Sequence, residues 1–177
     1  MFLDKYKMEE EFVRDLIFKS KIISEKEIKL LNFEKLTVFC SEHLIIPLVF
    51  IKIRQKKILK YFPKDFLDYF NYIYEHNLER NKFLLKEVKI LNKILTRNKI
   101  EHVFIKGAAM LIGNYYSDIG ERMIGDLDFL IKDVDSVLTE SVLQKNKYFK
   151  TSKNHFFSFR HLPRRFKDNL IFSIEPH

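Results

Sequence analysis

Residues 100–131 read IEHVFIKGAAMLIGNYYSDIGERMIGDLDFLI, and the changes of texture inside this stretch decide the fold. Residues 100–105, IEHVFI, form a short apolar run that ends at Lys106-Gly107, the signature of a buried strand entering a turn. Ala108–Tyr116 then reads as a short helix, with Ala108 and Ala109 small enough for close packing. Ser117–Gly125 is a loop. Residues 126–132, DLDFLIK, alternate, so Leu127, Phe129 and Ile131 point one way and Asp126 and Asp128 the other.

Downstream, Val134–Asn146 reads as a helix with Asp133 or Asp135 as its N-cap. Tyr148–Lys150, His155–His161 and Leu170–Glu175 read as strands. Upstream, residues 1 to 98 are helical in pattern. Phe12, Val13, Leu16 and Ile17 lie on one face of a Glu9–Lys19 helix. Ser24 and Glu27 have capping-box spacing. Phe33–Val49 reads as one helix disturbed at Pro47, and Pro63 opens the next. From Asp65 to Asn98 there is no glycine or proline, and Leu78, Leu84, Leu85, Val88, Leu91 and Leu95 form a stripe. The order of elements predicts an α/β (α+β) chain: a helical region over 1–98, then a sheet with flanking helices over 99–177.

Composition narrows the class. The chain has 177 residues, 46% of them hydrophobic and 32% charged, which suits a folded domain and excludes a disordered tail. The longest apolar run, Leu44–Ile51, contains Pro47 and is too short to span a bilayer. The start MFLDKYKMEEEF has no apolar stretch of signal-peptide type. Cys40 is the single cysteine, which excludes an internal disulfide framework and a multi-cysteine zinc site. These features predict a soluble protein of a reducing, cytoplasmic setting, with no membrane partner. The net charge is +8. Much of it comes from residues 141–177, where Lys145, Lys147, Lys150, Lys153, Arg160, Arg164, Arg165 and Lys167 face only Asp168 and Glu175. A basic segment suits phosphates.

Glycine is scarce and clustered. Ordinary usage predicts about a dozen, whereas the chain has four, Gly107, Gly113, Gly120 and Gly125, all in one window. Unusual backbone or close approach is therefore expected there. The same window carries the chemistry. Asp126 and Asp128 return to one strand face about 7 Å apart, a spacing that lets two carboxylates share hard divalent cations. Lys106-Gly107-Ala108-Ala109 forms a turn whose amides can face a phosphate. Period two puts Ile171, Ser173 and Glu175 on one face of the last strand, so a third carboxylate can reach the pair. Arg122 stands in the glycine-containing loop with a planar fork suited to an anion. His43, His76 and His102 lack ligand spacing.

Taken together, these motifs resemble those of a known family. FIKGAAMLIGNYYSDIGERMIGDLDFLI, then a basic linker with a histidine, then IFSIEPH, is similar to the uncharacterised bacterial nucleotidyltransferase family of the polymerase-beta-like nucleotidyltransferase superfamily. The likeness extends over residues 34–98, including LTVFCSEHLIIPLVF and Pro63. It implies a metal-dependent transfer of a nucleoside monophosphate from a nucleoside triphosphate to an acceptor hydroxyl on RNA, protein or a small molecule. Asp126, Asp128 and Glu175 would be the catalytic residues and would hold two Mg2+ (or Mn2+) ions. Lys106, Gly107, Arg122 and His177 would bind nucleotide phosphates, and His155 falls near a further histidine of the family. Two departures stand out. Pro176 replaces an apolar residue and is expected to remove a ladder donor beside Glu175. The chain stops at His177 where relatives continue, so a core truncated at its C-terminal end is expected. Two other readings fit these residues: a weak or inactive nucleotidyltransferase-like binding or regulatory module, and a toxin–antitoxin component with a protein partner.

Overall fold

A computed structural model describes residues 6–20, 22–150 and 162–177. It divides into two units: residues 1–79 with 120–123, and residues 80–119 with 124–177. The division falls within one long helix, α5, between Glu79 and Arg80.

The first unit holds α1 (Lys7–Phe18), α2 (Glu25–Lys29), α3 (Phe33–Glu42), α4 (Ile46–Gln55) and the start of α5 (Lys64–Arg97). Its core is made by the apolar stripes of these helices, with Leu16, Ile28, Leu36, Val49, Ile53 and Phe70 almost fully buried. Phe66 stacks on Phe62 and on Phe70. The capping box forms as its spacing predicts: the Ser24 hydroxyl accepts from the Glu27 amide, and the Glu27 carboxylate accepts from the Ser24 amide. The single helix expected over Phe33–Val49 is instead two. The chain reverses at Leu44, which has φ 55°, and Pro47 sits in the first turn of α4, where its missing N–H costs no hydrogen bond. Pro63 immediately precedes α5, and its carbonyl accepts from the Leu67 amide. Within this unit Asn77 of α5 donates its side-chain amide to the carbonyls of Gly120 and Arg122, at 2.7 and 3.0 Å.

The second unit is a five-stranded sheet with helices. Its strands are β1 (His102–Phe104), β2 (Asp126–Ile131), β3 (Phe149–Lys150), β4 (Arg165–Phe166) and β5 (Ser173–Pro176), in the order β1-β2-β5-β4-β3. Neighbours are antiparallel except β2 and β5, which run parallel. Residues 80–97 of α5, together with α6 (Lys106–Ile112) and α7 (Ser136–Lys145), complete the unit. Leu127 and Phe129 are fully buried with Leu84, Leu91, Leu95, Leu143 and Ile174, as the alternation of β2 predicts. Arg80 donates to the carbonyls of Ile124 and Gly125, and Asn81 donates to that of Ile119.

The helix expected over Ala108–Tyr116 is the shorter α6, and Asp135 precedes α7 without a side-chain cap. The expected strand His155–His161 lies outside the described residues. Two-residue β4 was not expected at all. None of the described helices is long and apolar enough to cross a membrane.

Candidate active site

The parallel pairing of β2 with β5 builds one polar face. Asp126 lies opposite Ser173, and Asp128 opposite Glu175. Residues opposite one another in a ladder share a face, so the period-two reading of both strands converges. The ladder continues past β5. His177 donates its amide to the Phe129 carbonyl at 2.9 Å and accepts from the Ile131 amide at 3.0 Å, which puts its side chain two residues on from Glu175 on the same face.

Pro176 does not break this pairing. Its carbonyl accepts from the Leu162 amide, on the side of β5 away from β2. The N–H and C=O of one strand residue point the same way, so the donor that proline lacks is one the β2 ladder does not use.

Around the carboxylates the contacts are dense. Asp128 is buried, and its Oδ1 accepts from Lys106 Nζ at 2.6 Å and lies 2.7 Å from His177 Nε2. The turn carrying Lys106 is pinned by Ile105, whose amide donates to the Asp128 carbonyl at 3.1 Å. Lys106 itself has φ 52°. A left-handed lysine is costly, and such strain persists only where the surroundings impose it. The bond to Asp128 holds the Lys106 ammonium above the ordinary lysine range, against a smaller desolvation effect.

Glu175 is also buried, and Arg164 Nε lies 2.5 Å from its Oε1. That approach is an ion pair and not an aligned hydrogen bond, since Oε1 has no hydrogen-bond partner among the described residues. Burial raises the Glu175 carboxyl above the ordinary range. The charge of Asp126 adds to the rise, Arg164 opposes it, and the Asp128 charge and a hydrogen bond with Asp126 raise it further.

Gly107 serves packing. A Cβ there would lie 3.0 Å from two carbons of the Ile124 side chain, so an alanine would need that side chain to give by a few tenths of an ångström. Among the described glycines none has positive φ; the left-handed residues beside Gly107 and Gly113 are Lys106 and Asn114. The close approach expected of the glycine window is present, and its unusual backbone falls on other residues.

Lys106, Asp126, Asp128, Glu175 and His177 thus share one site. Arg122 belongs to the N-terminal unit, where Asn77 holds its carbonyl. His155 is outside the described residues. Arg164 is the residue that sequence reasoning missed: it counted there only as charge, because nothing in Arg164-Arg165 announces a two-residue strand.

The donor set fits a divalent cation. Asp128, Glu175 and His177 each offer a ligand atom, all within 4.8 Å of one another, and the buried Oε1 of Glu175 has no aligned hydrogen-bond donor, although the Arg164 guanidinium is paired with it. The carboxylate oxygens suit hard divalent ions, and the imidazole nitrogen is a donor for divalent transition-metal ions.

No curated protein and no solved structure matches the chain. A family model described as "Uncharacterised nucleotidyltransferase" matches residues 30–177, and the chain belongs to that nucleotidyltransferase family.

Proposed function

We propose that this chain moves a nucleoside monophosphate from a nucleoside triphosphate to an acceptor hydroxyl, with Asp126, Asp128 and Glu175 holding two Mg2+ or Mn2+ ions. The observation that carries the reading is the pairing of Asp128 with Glu175 across a parallel ladder, with His177 next on the same face. Bound divalent ions would polarise the α-phosphate and neutralise charge on the triphosphate.

The chain's own residues supply the rest. Lys106 is the cation for phosphate oxygens, with His177 as a further phosphate-binding candidate. Glu175 accepts the proton of the acceptor hydroxyl. The acceptor oxygen forms its bond to the α-phosphorus while the bond from that phosphorus to the bridging oxygen breaks, and pyrophosphate leaves. RNA, a protein side chain and a small molecule are the acceptor classes, in a cytoplasmic setting.

The test is incubation with each of four α-labelled triphosphates, Mg2+ and a cell extract. Label should pass to an acceptor with the wild-type chain and not with the Asp126→Asn, Asp128→Asn double variant. Transfer that survives the double substitution, or none from wild type with any triphosphate, overturns the reading.

A further inference from the structure

We infer that Arg164 is a triphosphate-binding residue, held on Glu175 until nucleotide arrives. The inference rests on the nucleotidyl-transfer reading above and adds a residue to it.

The charges of the site are divided unequally between interior and surface. The Asp128 and Glu175 side chains are 1% and 7% exposed, whereas their partners Lys106 and Arg164 are 53% and 55% exposed. Buried carboxylates on a paired ladder cannot move away. A long side chain with water behind it can rotate off at small cost, and a half-exposed ion pair holds it weakly.

The Arg164 contact is also the less directed of the two. Lys106 makes a hydrogen bond to Asp128, while Arg164 meets an Oε1 that has no aligned donor. The backbone near it is fixed, because the Leu162 amide donates to the Pro176 carbonyl and Arg165 pairs with Ile174. Alternation along this segment sends Arg165 into the interior, where its guanidinium meets Glu140 at 3.1 Å, and leaves Arg164 on the side of Glu175.

Charge sets the order of binding. Three carboxylates, Asp126, Asp128 and Glu175, face the cations Lys106 and Arg164. Arg164 is therefore a competitor for Glu175 whenever a divalent cation is offered. The arriving triphosphate offers new acceptor oxygens, and a planar guanidinium binds these in a bidentate manner better than it binds one edge of Glu175. Arg164 thus weakens binding of the bare cation and strengthens binding of the triphosphate.

Two titrations on the full chain separate this from a structural role. The first follows Mn2+ alone by electron paramagnetic resonance. The second follows inorganic tripolyphosphate by calorimetry at saturating Mg2+. In Arg164→Gln, Mn2+ should bind severalfold more tightly and tripolyphosphate about tenfold more weakly, the loss of one charge-assisted contact. Arg164→Lys should restore only part of the tripolyphosphate affinity, because an ammonium keeps the charge and lacks the planar fork. Affinities that fall together, or that both stay unchanged while wild type binds Mn2+, overturn the inference and leave the transfer reading standing. A wild-type chain that binds no Mn2+ removes both.

Discussion

Asp128 and Glu175 lie opposite each other on the parallel β2–β5 ladder, although the strands that carry them are far apart in the chain. The register decides whether a site exists. A slip of one residue would turn Glu175 to the other face and bring Ile174 or Pro176 beside Asp128. Two features hold the register. Leu127, Phe129 and Ile174 are buried on the opposite face, and His177 extends the ladder through its backbone at both N–H and C=O. The site is therefore fixed by the same apolar alternation that fixes the core.

The Asp126→Asn, Asp128→Asn double variant should lose the metal-dependent stabilisation of the folded chain. A ligand at a hundred times its Kd stabilises by about 2.7 kcal/mol, which for a chain of this size raises Tm by roughly 5–10 °C. Thermal unfolding with Mg2+ and a triphosphate, against a chelator control, measures it. Wild type should shift by that amount and the variant by little. An equal shift in both places the bound metal elsewhere.

How much of the site was legible in the sequence depends on how local each signal is. The alternation of residues 126–131 and of 171–175 is a property of each strand alone, so three carboxylates on shared faces could be read before their register was known. Two-residue β4 is too short to show any period, and Arg164 was lost with it. The break between α3 and α4 was hidden for another reason. This glycine-poor chain makes left-handed turns at Leu44, Lys57, Lys99, Lys106 and Asn114, residues that carry little turn signal, with asparagine the partial exception.

Lys106 offers a test of that strain. Lys106→Gly and Lys106→Ala both remove the ammonium from Asp128 and should weaken triphosphate binding alike. They should differ in stability, because alanine keeps the cost of a left-handed L-residue and glycine does not. Urea unfolding should find the glycine variant more stable by about 1 kcal/mol. Equal midpoints would mean that residue 106 is not left-handed in solution.

Gly107→Ala should destabilise by about 1–3 kcal/mol, since its new methyl meets two carbons of buried Ile124 at 3.0 Å. Ile124→Ala has its own cost, a cavity of about 2–5 kcal/mol. The double variant should be more stable than the sum of the two predicts, because the methyl added at 107 enters space that the shorter side chain at 124 vacates. A double-mutant cycle by denaturant unfolding measures the coupling. Strict additivity would show that the helix start does not pack on Ile124.

Glu175→Gln should trade function for stability. In wild-type protein freed of metal by a chelator, the Glu175 carboxyl titrates above its ordinary value of 4.5, chiefly because it is buried and then because Asp126 is near. Over the window above 4.5 the folded state therefore holds a proton that the unfolded state has released. The stabilisation from that group is complete below the unfolded value and is lost as pH rises through the folded one. Glutamine carries no such proton. The exposed Arg164 loses its partner at small cost, because it stays in water. Urea midpoints at about pH 5 and about pH 8 should thus show the variant gaining on wild type as pH rises, while nucleotidyl transfer is lost at both. A wild-type midpoint that holds as steady as the variant's across that window would mean that Glu175 ionises there as freely as in the unfolded chain.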